Sequence, residues 1–161
     1  QYLYNAFFIN FDSPNLKSVK KMFGNCIRLM NIKLDNILEN VSISKLETME
    51  ELFSNCYYLP NFILQNINFT DLTNMERMFE KCSNLKNSTF QNLYFDKSIS
   101  MKNMFDNCHY LIYVSFQNIN LSKVLILKTI FNSNFANLIA NFENIDASEA
   151  TEIEKICLGH K

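Results

Sequence analysis

An eleven-residue phrase occurs four times in this chain, and that recurrence limits what the chain can fold into more than any single residue does. It reads VKKMFGNCIRL at 19–29, MEELFSNCYYL at 49–59, MERMFEKCSNL at 75–85 and MKNMFDNCHYL at 101–111. Cys56, Cys82 and Cys108 are 26 residues apart, while Cys26 precedes Cys56 by 30, so that unit carries four extra residues near 38–41. The aromatic slot runs Phe23, Phe53, Phe79, Phe105 and Phe131, and Cys157 takes its next position. A second phase is as regular: Asn10, Asn36, Asn66, Asn92, Asn118 and Asn144, each with Phe or Leu two residues earlier. Repetition at a period of this size means stacked units that share one core.

Each unit divides into two periodicities. The stretch L-x-x-φ-x-L-x-N alternates with period two, as a strand with one buried face does. The stretch M-x-x-M-F-x-x-C-x-x-L places apolar residues at i, i+3, i+4, i+7 and i+10, which predicts the inner stripe of a helix. A polar turn such as NFTDLTN at 68–74 joins strand to helix. The fold class expected is therefore α/β: about six strand–helix coils with a parallel sheet, spanning residues 1–161 as one domain.

The two phases together resemble leucine-rich repeats, and M-F-x-x-C-x-x-L at a 26-residue period resembles the BspA-like branch of that family. The resemblance implies a curved solenoid with its sheet on the concave side. It also implies protein recognition, including surface attachment, and no catalytic activity.

Composition sets outer bounds. With 48% hydrophobic residues the chain is not of the disordered class, and a formal net charge of −1 gives no reason to expect nucleic acid. No apolar run approaches the ~20 residues of a membrane-spanning helix; VLIL at 124–127 is the densest. The N-terminal residues carry no signal-peptide pattern, and compartment is not readable.

The cysteines invite a metal or thiol reading, but no C-x-x-C spacing occurs, and C-x-x-H occurs once, at Cys157 and His160, with no second pair of that spacing. If successive coils stood ~8–10 Å apart on a helical side, equivalent cysteines would lie beyond disulfide reach. Cys56, Cys82 and Cys108 are thus expected as buried packing thiols, and no cofactor or metal is called for. The ladder Asn36, Asn66, Asn92, Asn118 and Asn144 is expected to satisfy backbone groups of its own and the next coil. Gly24 and Gly159 are the only glycines, so no phosphate loop or nucleophile elbow exists. His109 follows Cys108 directly, a spacing that points the two apart on a helix. An enzyme is not expected.

The informative surface is the face of the sheet turned away from the core. Asn61 and Asn87 form one amide column there and Gln65, Gln91 and Gln117 another, with Tyr113 beside them. These six are the candidate binding residues for a protein partner within a larger assembly; a cell-surface adhesin fragment holding a protein or glycan is the alternative. Phe7 and Ile9 occupy the same columns in the first coil, where later coils are polar, and are expected at an end contact. Lys17, Lys20, Lys21, Arg28 and Lys33 against Glu143, Asp146, Glu149, Glu152 and Glu154 suggest opposite charge at the two ends, suited to head-to-tail contacts.

Overall fold

The computed structural model describes residues 3–7, 15–33, 45–120, 130–131 and 137–146. Six parallel strands are present: β1 (Asn5–Phe7), β2 (Asn31–Lys33), β3 (Asn61–Phe69), β4 (Asn87–Phe95), β5 (Tyr113–Gln117) and β6 (Ile139–Glu143). β1 pairs with β2, and β3 to β6 form a four-stranded sheet in sequence order. The register is the repeat itself: Gln65 faces Gln91, which faces Gln117, which faces Glu143. A solenoid of parallel strands one coil apart follows directly.

The expected α/β class is overturned, because no helix occurs among the described residues. Residues 49–59, 75–85 and 101–111 form successive tight turns in place of a helix. Their amides divide into two sets. Those of Leu52, Ser54 and Cys56 return to the carbonyls of Met49, Glu51 and Phe53, three residues back, at 3.0–3.1 Å. Those of Met49, Glu51, Phe53 and Asn55 cross instead to the carbonyls of Asn74, Glu76, Met78 and Glu80 in the next coil, at 2.8–2.9 Å. An α-helix would send every one of them four residues back, which leaves none for the neighbour.

Coil spacing is the physical reason. The stacked rings of Phe23, Phe53, Phe79, Phe105 and Phe131 have centroids 5.4–5.6 Å apart. Helices side by side require ~8–10 Å between axes, so none fits at this rise. Phe90 and Phe116, on the strand side, stand 5.1 Å apart. With similar spacing on both sides, the wedge of helices behind a concave sheet is absent too.

The apolar pattern nonetheless names the core of the later coils correctly, although Met22, in the same slot of the first phrase, is 47% exposed. Met49, Leu52, Phe53, Cys56 and Leu59 are all buried, as are Met75, Met78, Phe79, Cys82 and Leu85 one coil on. The strands send Phe62, Leu64, Phe90, Val114 and Phe116 into the same interior. Phe79 lies between Phe53 and Phe105 and meets Phe62 edge-on at 4.7 Å. Such interlocked rings contribute beyond their buried area.

Left-handed backbone makes the corners. Asn66, Asn92, Asn118 and Asn144 have φ of 50–58°, a region where Asn is among the least strained side chains. The kink resets the alternation: in β3 the inward residues are Phe62 and Leu64 before Asn66, then Ile67 and Phe69 after it. The turn segments use the same conformation at Glu51 and Asn55, Arg77 and Lys81, and Asn103 and Asn107.

The sheet is interrupted between β2 and β3, while the turn side stays bonded from Val19, Lys21, Phe23 and Asn25 to the coil after it. Met30, Lys86 and Ile112 each donate an amide to the preceding coil at 2.8–2.9 Å. Pro60 holds the equivalent place and has no N–H to give. The break therefore falls at the same junction as the four-residue insertion.

Candidate functional site

Two long surfaces emerge from this architecture. The first is the outer face of the four-stranded sheet, where alternation turns every second side chain outward. Asn87 donates to Asn61 at 2.7 Å and Asn31 donates to Asn5 at 2.8 Å, so this amide column is partly committed to itself. Gln117 donates to Glu143 at 3.1 Å. Gln65 and Gln91 stand in register beside it, half-buried, with no partner for either amide among the described residues. Ile63 and Ile139 project from the same face, 53% and 60% exposed, and Tyr113 is half-buried next to Asn87.

The corner asparagines form a separate ladder. Asn92 donates to Asn66 at 2.7 Å, Asn118 to Asn92 at 2.9 Å and Asn144 to Asn118 at 3.1 Å. The amides thus bond one another from coil to coil, where the sequence reading assigns them to backbone groups. Asn36 and Ile9 lie outside the described residues; Phe7 ends β1, and only its backbone is described.

The cysteines follow one rule. Cys56, Cys82 and Cys108 are buried, and each thiol donates to the carbonyl of Phe23, Phe53 or Phe79 in the preceding coil at 3.0–3.1 Å. Burial pushes the Cys56 thiol up to about 12 and raises Cys26, Cys82 and Cys108 in the same direction. Such thiols are poor nucleophiles. All four are free, but the spacing argument against disulfides does not hold, since coils stacked ~5.5 Å apart do not exceed disulfide reach. Among the described residues no three His, Cys, Asp or Glu side chains gather as a metal site. No described helix is long and apolar enough to cross a membrane.

The basic cluster is paired within the chain. Lys17, Lys20 and Lys21 meet Glu47, Glu50 and Glu51 of the next coil at 2.7–3.0 Å. These carboxylates hold the Lys17 and Lys20 ammonium groups above their ordinary range, chiefly through the hydrogen bond each accepts. An exposed pair of this kind contributes little to stability, but together they offset three of the five positive charges the sequence places at this end. Arg28 donates to the Tyr4 hydroxyl, and the Lys33 side chain lies outside what is described.

The second surface was missed by sequence reasoning. Beside the cysteines an open groove of about 480 Å³ crosses four coils. Asn25, Asn55, Lys81 and Asn107, each one residue before a cysteine and each with positive φ, contribute one series of side chains. Ile27, Tyr57, Ser83 and His109, each one residue after, contribute the other. The available signal was Asn at three of four positions before the cysteine, since Asn marks left-handed backbone.

These coils can be set beside known proteins. A family described as "Mycoplasma protein of unknown function, DUF285" matches residues 2–93 and 97–159, nearly the whole chain. The chain belongs to the DUF285 family. A DUF285 repeat here is one strand, one corner asparagine and one run of cross-bonded turns, recurring every 26 residues. No curated protein and no solved structure matches this DUF285 chain.

Proposed function

We propose that this DUF285 chain is a non-catalytic recognition module that seats a protein partner on the outer face of its four-stranded sheet. The observation that carries the reading is the pair Gln65 and Gln91. Both amides are aligned by the sheet and have no partner among the described residues, beside the 53% exposed Ile63. Side-chain amides offer donors and acceptors together, and an exposed aliphatic side chain adds area that gains from desolvation. Tyr113 supplies an aromatic body with a polar tip, a residue type enriched where proteins meet.

Surface attachment is the second reading. It rests on the likeness of M-F-x-x-C-x-x-L to the BspA-like repeats, and on the same face.

The test replaces Gln65, Gln91 and Gln117 together with Glu, which sets like charges ~4.8 Å apart along the sheet. Affinity capture from the native source is then run with both forms. A protein retained by the unaltered chain and lost by the triple variant supports the reading. Equal retention by both argues that this face is only solvated.

A further inference from the structure

The groove beside the cysteines is a different surface from the sheet face, and its chemistry selects a different ligand. We propose that it binds a linear oligosaccharide lying along the solenoid axis, with sugar rings set against successive coils.

The backbone argues first against a peptide. The amides of Asn25, Asn55 and Lys81 are spent on the next coil, bonded to Ser54, Glu80 and Asp106 at 2.8 Å. A bound strand would find no free edge here, and main-chain pairing is the usual source of affinity for an extended peptide. Register argues the same way. An extended peptide advances ~3.3–3.6 Å per residue, while the Phe rings under the groove recur once per coil with centroids 5.4–5.6 Å apart. Successive amino acids would drift out of phase with successive coils. A pyranose ring in an extended oligosaccharide advances by close to one coil, so successive rings meet successive coils.

Those side chains suit a sugar. Asn55 donates one amide N–H to Ser54 at 3.1 Å, leaving the other N–H and the carbonyl for sugar hydroxyls. Ser83 and His109 add short polar contacts one and two coils on. Tyr57 is 44% exposed, and Tyr58 packs against it edge-on at 5.3 Å, which fixes an aromatic face for the C–H side of a ring. Among the described lining residues none is a carboxylate, and Lys81 is the charged one, its ammonium 3.7 Å from Glu80. A sugar carboxylate would share that ammonium with Glu80, so acidic sugars are admitted as well as neutral ones.

The test uses the folded chain with hexasaccharides of hyaluronan and of chitin, their disaccharides, and a hexapeptide of glutamate. Binding is followed by saturation-transfer NMR and by tyrosine fluorescence. At least one hexasaccharide is expected to bind, about tenfold more tightly than its disaccharide. Tyr57→Ala is expected to weaken it about tenfold, and Lys81→Asn to weaken the hyaluronan hexasaccharide selectively. Tyr94→Ala, which alters an exposed aromatic beyond the Asn92 corner, should bind whichever hexasaccharide the unaltered chain binds, and equally well. Three results overturn the proposal: no binding of either hexasaccharide, binding indifferent to both Tyr57→Ala and Lys81→Asn, or binding of the acidic peptide alone.

Discussion

The Cys82 thiol donates to the Phe53 carbonyl of the preceding coil at 3.1 Å, and the Phe53 ring stacks on Phe79 of Cys82's own coil at 5.5 Å. Phe53 thereby carries both forces that join coil to coil, a hydrogen bond accepted from Cys82 and ring stacking on Phe79. The thiol fits because it is a small apolar body that still has a proton to give.

Burial of that proton has a consequence for alkaline stability. Cys56 holds its proton up to about pH 12 when folded, against a value near 9 for an ordinary thiol. Below pH 9 both states are protonated and stability is independent of this group. Above it the unfolded chain ionises first, so the stabilisation is lost as pH rises from 9 towards 12. Urea unfolding followed across that window should show a steadily falling midpoint. Replacing Cys56 by Ala should reduce the slope; an unchanged slope would mean the thiol is not buried as described.

Phe79→Ala should cost ~3–5 kcal/mol, because the ring leaves a cavity between Phe53, Phe62 and Phe105 that the coils cannot close. Chemical denaturation measures it. A loss under ~1 kcal/mol would be that of a surface site.

Asn92 separates conformation from hydrogen bonding. It has φ of 51°, donates to Asn66 and accepts from Asn118. Asn92→Ala loses both amide bonds and strains the corner, whereas Asn92→Gly loses the bonds alone. The Ala variant should therefore be the less stable by about 1 kcal/mol, read from paired thermal melts. Equal melts would mean the corner is not left-handed.

Ser88 is fully buried, and its Oγ has no hydrogen-bond partner among the described residues. Such a group costs ~1–3 kcal/mol. Ser88→Ala should raise the melting temperature, and a fall would reveal a partner for the hydroxyl.

Much of this was legible from the residues. The 26-residue register placed all six strands, and the apolar spacing selected Met49, Leu52, Phe53, Cys56 and Leu59 as inward. It did not tell a helix from stacked turns, because i, i+3, i+4, i+7 satisfies both. Coil spacing decides between them, and that is a property of neighbours rather than of one segment. The sheet face was legible as a list of columns. Which amides bond each other, Asn87 to Asn61, and which remain uncommitted, Gln65 and Gln91, depends on side-chain geometry that the sequence does not contain. The groove went unseen because it lies along the segment read as helical.

The central claim is that these segments bond across coils. Scalar coupling through the hydrogen bond of the Phe53 amide tests it most directly. The account requires coupling from the Phe53 nitrogen to the Met78 carbonyl, the 2.9 Å bond to the next coil. Coupling to Met49 instead, four residues back, would make the segment a helix and contradict it.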